Sequence, residues 1–277
     1  MLYPVVAGVG ERHALRTAAP APIPALAWLA AGVGIAGQIA YPLCDASGRN
    51  VLTNATVVAF FVAMVAATTT QVGPRRGVGA ALLGCILAWS VELIGLHTGF
   101  PFGRYRYTGV LRPELAGVPV IVPLAWTAMA LAALTVGRRL GTGRLRTALL
   151  GGVALATWDV FLDPQMVAAG YWRWQSPQWT IPGVPGIPLS NFAGWLVAAV
   201  LLIALLDRVL RQDPPEIAKP RPFGGSTGVR VAATVYLWTY GSEVLAGIAF
   251  FHRPAVAVVG GVLMGTVALP YARSLLR

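Results

Sequence analysis

The sequence predicts an all-α fold: a polytopic transmembrane helical bundle of about eight spans (seven possible), with both termini in the cytoplasm. Three observations carry this prediction. Hydrophobic residues make up 56% of the 277 and charged residues only 11%, with a mean hydropathy of +0.67, whereas soluble domains are charged at about a quarter of positions. The apolar residues fall into runs of the length that crosses a hydrocarbon core of about 30 Å. Finally, 15 of the 21 Lys and Arg residues fall in the two terminal segments and alternate connections, which is the positive-inside pattern and places that side in the cytoplasm.

The runs cover residues 23–43, 54–71, 78–98, 118–136, 147–169, 188–206, 231–250 and 255–272. The first follows an arm (1–22) bearing Arg12, His13 and Arg16. That run is too long for a typical signal-peptide core, so it is expected to be retained as a span. The last two runs are separated only by "FHRP" (251–254). The longest polar connection, 207–230, is Pro-rich and mixed in charge and has the composition of a cytoplasmic linker. No internal repeat or second composition class divides the chain, so residues 1–277 are expected to form one integral membrane domain. No segment makes a convincing strand.

Composition also excludes function classes. The net charge of +11 follows from bilayer topology and needs no nucleic acid. Cys44 and Cys85 form no metal-type pair. Lys219, in the linker, is the only lysine, so no retinal Schiff base can form in a span. Three histidines without metal-ligand spacing argue against a haem or multi-histidine iron site. The "DVFLD" segment (159–163) superficially matches the Asp-rich motifs of membrane prenyltransferases, but magnesium-diphosphate chemistry needs more carboxylates at tighter spacing.

Ionisable groups within a span cost about 2.5 to 3.5 kcal/mol each on insertion scales, so they face a cavity with a task or a partner. Glu92, Asp159, Asp163 and Glu243 are such groups. At about 1.5 Å per residue, Glu92, Asp159 and Glu243 lie roughly 18 to 21 Å from the cytoplasmic side, with Asp163 about 6 Å further out. No Lys or Arg inside a predicted span neutralises them, and a carboxyl buried without a cation favours its neutral form. Asp159 and Asp163, at i and i+4, share a helix face, where like-charge repulsion lets one act as acid and the other as base. Structural alternatives stand beside this. Asp163 before Pro164 has the form of an N-cap after a kink, Glu243 that of an interhelical hydrogen-bond partner, and His97 that of an interfacial histidine. The outer connections "GFPFGRYRYTGVLRPELAG" (99–117) and "YWRWQSPQWTIPGVPGIPLS" (171–190) are rich in rings, which an interfacial aromatic belt also explains.

Taken together, "FPFGRYRYTG" (100–109), "TWDVFLDPQM" (157–166), "GYWRW" (170–174) and "GIPLSNFAGW" (186–195) resemble the CruF-type membrane carotenoid hydratases. That family includes the carotenoid 1′,2′-hydratases and bisanhydrobacterioruberin hydratases of bacteria and archaea. The resemblance covers about residues 80–200, with Glu92 and His97 a looser match. It implies a multi-pass enzyme of the cell membrane that adds water across the terminal C=C of an acyclic carotenoid, giving a tertiary alcohol without a metal or other cofactor. Its partners would be that carotenoid, water and membrane lipid. The expected catalytic groups are Asp159 as general acid with Asp163 or Glu92 as base. Trp158, Trp126, Tyr105 and Tyr107 would form a cation-stabilising wall, and Asn191 would orient water. Arg104, His97, Trp195 and Glu243 complete the expected substrate-binding set. Alternatives are a carotenoid end-group cyclase or a prenyltransferase. A proton-coupled transporter would need an inverted repeat, which the chain lacks.

Overall fold

Each predicted apolar run forms helix in the computed structural model, which describes residues 22–175, 179–211 and 226–277. The helices are α1 (Pro22–Ala40), α2 (Ala46–Val72), α3 (Pro74–Thr98), α4 (Ile121–Leu140), α5 (Arg144–Ala156), α6 (Asp159–Ala168), α7 (Leu189–Leu210), α8 (Thr227–Ala249) and α9 (Pro254–Leu275). Seven segments are long and apolar enough to cross a membrane, with α5 and α6 forming one of them. α8 matches them in length, but Arg230, Glu243 and a series of hydroxyl-bearing residues dilute its apolar surface, and it falls outside that group. Arg12, His13, Arg16, most of the predicted arm and residues 212–225 of the linker, Lys219 included, lie outside the described residues.

Local chemistry sets the helix ends. The carboxylate of Asp45 accepts the Gly48 amide at 2.7 Å and caps α2. α2 therefore starts eight residues before the predicted run and brings Arg49 into the helix, where its guanidinium donates to the Pro42 carbonyl and forms no ion pair with Glu92, Asp159, Asp163 or Glu243. α3 ends at Gly99, whose left-handed φ of 73° suits a residue without Cβ. Pro254 opens α9 from the first turn, where its missing N–H costs nothing.

α4 is the central post, buried along most of its length and packed by α2, α3, α5 and α7. Small residues let neighbouring backbones approach. A Cβ on Gly152 of α5 would come within 2.8 Å of the Val200 Cα on α7. At the Arg-rich end, Asp207 binds Arg138 (2.8 Å) and Arg211 (2.5 Å), joining α4 to α7.

Two features differ from expectation. The break in the fifth run falls at Thr157–Trp158, before Asp159, so Asp163 lies inside α6 and caps nothing. Short strands also occur in the loops. β1 (Tyr105–Tyr107) pairs antiparallel with β4 (Trp172–Trp174), and β2 (Glu114–Leu115) with β3 (Val118–Pro119). In the first ribbon the alternation of "YRY" and "WRW" turns Tyr105, Tyr107, Trp172 and Trp174 inward and leaves Arg106 and Arg173 exposed.

Candidate active site

Beneath the β1–β4 ribbon the helices enclose a cavity with about 1360 Å³ of empty space, its open mouth included. All four carboxyls singled out in the sequence line it: Glu92 from α3, Asp159 and Asp163 from α6, and Glu243 from α8. The first three are almost wholly buried.

The break before Asp159 resets the helix so that both aspartates project from α6 into the cavity. One amide reaches an oxygen of each, which brings the two carboxyls together. Asn191, in the first turn of α7, donates its amide to Asp163 Oδ2 at 2.6 Å and to Asp159 Oδ2 at 3.3 Å. Trp172 Nε1, from β4, donates to Asp163 Oδ1 at 3.1 Å. Both oxygens of Asp163 thus accept N–H groups, the arrangement that suits an ionised carboxylate, whereas Asp159 receives only the longer Asn191 contact.

Glu92 is held from the other strand of the ribbon. Tyr105 and Tyr107 donate their hydroxyls to its Oε2 at 2.7 and 2.8 Å. Burial first, and the adjacent Glu92 charge second, push both phenols above the usual phenol range, so they stay protonated donors. One two-stranded ribbon therefore reaches two acids on two different helices.

The cavity's aromatic wall is built around Trp126. Its ring stacks on Trp195 at 3.9 Å, with 18° between planes, and meets Trp158 edge-on at 6.0 Å. The same cavity is also lined by Gln38 of α1, Tyr41, Ser242, Glu243 and Phe251.

The fold thus gathers Glu92, Asp159, Asp163, Asn191, Tyr105, Tyr107, Trp126, Trp158, Trp195 and Glu243 around one space. Arg104 and His97 do not line it. Arg104 is exposed beyond the ribbon, and the exposed His97 ring donates from Nδ1 to the Leu93 carbonyl at 2.9 Å within its own helix. Trp172, Trp174, Gln38 and Phe251 were not singled out as site residues from the sequence. The aromatic-basic-aromatic alternation of "WRW" is the signal that marks the two tryptophans as one face of a strand.

Comparison with known proteins gives this arrangement a family. The model of a family described as "Carotenoid biosynthesis protein" matches residues 52–269. The chain belongs to that carotenoid biosynthesis family. Its matched region runs from α2 to α9, so it includes every carboxyl of the cavity. Among relatives, the chain is 35% identical over 140 residues to a bisanhydrobacterioruberin hydratase of Haloarcula japonica. That match spans 48% of this chain and 45% of the relative, less than half the length of each. No solved structure shows a significant match.

Proposed function

We propose that this member of the carotenoid biosynthesis family is a hydratase that adds water across the terminal C=C of an acyclic carotenoid end group, giving a tertiary alcohol. One observation carries the reading: a carboxyl pair tied by Asn191 faces a tryptophan wall in a membrane-embedded cavity. The name of the Haloarcula japonica relative agrees with it.

Asp159 is the general acid. Its O–H bond breaks as its proton joins the less substituted alkene carbon, and the π electrons become the new C–H bond. The cation is left on the tertiary carbon. Trp126, Trp158 and Trp195 offer it ring faces, each contributing about 0.5 to 2 kcal/mol, without competing as nucleophiles. A water oxygen then forms the C–O bond and gives up one proton to Asp163 or Glu92. The carboxyl that took this proton passes it back to Asp159, so one water is consumed and each carboxyl recovers its starting state. A neutral acid beside a carboxylate in an apolar site suits this division of work.

The Arg-rich end of α4, α5 and α7 is the cytoplasmic end, and the ribbon covers the outer half of the cavity. The polyene enters sideways from lipid into the cell-membrane-embedded bundle.

The test is expression in a host that makes an acyclic carotenoid precursor, with chromatography and mass measurement of the pigments. A product heavier by one water supports hydration. An isomer of unchanged mass would replace it with a cyclase, and a magnesium-dependent gain of an isoprenoid unit with a prenyltransferase.

A further inference from the structure

Two arginines at the Arg-rich end of the bundle stand apart from the ion pairs there. Asp207, almost wholly buried, is already matched by Arg138 and Arg211. Arg144, which opens α5, and Arg208, in the last turn of α7, are exposed, and among the described residues neither side chain forms a hydrogen bond or an ion pair. Helix packing brings the two to one level. Gly151 faces Ile203 and Gly152 faces Val200, an order that makes α5 and α7 antiparallel. Arg144 lies eight residues before Gly152 and Arg208 eight residues after Val200, so each stands about 12 Å from that contact at 1.5 Å per residue.

A groove with about 700 Å³ of empty space, its open side included, lies there, lined by Arg144, Leu201, Ala204, Leu205, Asp207 and Arg208. Leu201, Ala204, Leu205 and Arg208 follow the i, i+3, i+4, i+7 spacing of one helix face. They form a stripe on α7 that is apolar along the span and ends in a guanidinium. Nothing among the described residues packs over its far end, since Leu201 is 64% exposed. Asp207 does not cancel the charge at the head of the groove, because Arg138 and Arg211 already outnumber it.

We propose that this groove binds one anionic phospholipid, with its phosphate between Arg144 and Arg208 and an acyl chain laid along Leu201, Ala204 and Leu205. A guanidinium pairs with phosphate through two parallel N–H groups, and basic pockets between membrane helices at the cytoplasmic side suit acidic head groups. A free phosphate would satisfy the arginines equally but leave the apolar stripe uncovered. The bound lipid clasps α5 to α7. Those two helices carry the acid site at their other ends, since α5 leads through the break into Asp159 and α7 begins with Asn191 in its first turn. The lipid site stands whatever reaction the cavity performs.

The test titrates the full-length protein, purified in detergent, with phosphatidylglycerol, with phosphatidylcholine of the same acyl chains, and with inorganic phosphate. Native mass spectrometry reads retention, and the thermal unfolding midpoint reads the effect on the fold. Phosphatidylglycerol is retained and raises the midpoint, phosphatidylcholine binds about tenfold more weakly, and phosphate alone leaves the midpoint unchanged. Arg144→Gln combined with Arg208→Gln removes the preference. Arg146→Gln keeps it, because Arg146 carries the same charge in the same turn of α5 but does not line the groove. Ala204→Trp fills the stripe with both arginines intact and also loses the bound lipid. All four replaced side chains are exposed, and wild-type helical circular dichroism and elution volume check that each variant is folded. Equal retention of the two lipids overturns the proposal, as does a preference that survives the double glutamine substitution or an equal loss in Arg146→Gln. Retention by Ala204→Trp would mean that surface charge alone attracts the lipid, and a midpoint raised as far by inorganic phosphate would mark a site for soluble anions; either result also overturns it.

Discussion

Asn191 Nδ2 lies 2.6 Å from Asp163 Oδ2, so a neutral amide from α7 holds a carboxylate of α6 at the cavity wall. This contact locks the side of Asp163 that Trp172 does not, and it orients the pair in which Asp159 is free to give up a proton.

Replacing Asn191 by Leu leaves Asp163 one donor short in a buried site. The expected result is a loss of about 1 to 3 kcal/mol in stability, read as a lower midpoint in detergent thermal unfolding, together with at least a tenfold drop in hydrated pigment. A variant with wild-type hydration would remove Asn191 from the site.

Asp159→Asn removes the proton donor while keeping size and hydrogen bonding. General acid catalysis contributes about 10² to 10⁴ in rate, so hydrated product should fall by that range while the precursor accumulates. Asp163→Asn should also lower the rate. If Asp159→Asn retained full activity and Asp163→Asn lost it, the acid and base roles would be reversed.

Tyr105→Phe and Tyr107→Phe each delete one donor to Glu92 Oε2. Each single variant is expected to destabilise the protein by about 1 to 3 kcal/mol. Because both hydroxyls share one oxygen, the double variant should differ from the sum of the singles by more than about 0.5 kcal/mol. Additive midpoints in thermal unfolding would mean that the two tyrosines act independently.

Trp126→Leu takes out the ring on which Trp195 stacks and which Trp158 meets at its edge. Cation stabilisation of about 1 kcal/mol corresponds to a several-fold fall in hydration rate, with Trp126→Phe recovering part of it. Pigment ratios in the expression host measure this, and identical rates for Leu and Phe would argue against a ring-face role.

Gly152→Ala tests the packing that carries the site. Its new Cβ would press on the Val200 backbone and push α5 from α7. Destabilisation of about 1 to 3 kcal/mol is expected from such overpacking, seen as a lower unfolding midpoint. An unchanged midpoint would show that α5 and α7 can separate without cost.

The sequence by itself determined the helical membrane architecture, the place of each apolar helical run and the carboxyls worth attention. Those features are local: hydropathy over twenty residues sets a span, and a charge inside one is conspicuous whatever surrounds it. The i, i+4 spacing likewise put Asp159 and Asp163 on one face before any neighbour was known. The tertiary structure decided which side chains meet. It gathered the four acids around one cavity, left His97 and Arg104 outside it, and turned two aromatic loops into a ribbon that binds Glu92 and Asp163. It also moved the kink ahead of Asp159 and drew Arg49 into α2. The physical reason is that these outcomes depend on helix rotation and on strand pairing between residues more than sixty positions apart, and neither leaves a periodic trace in a single chain.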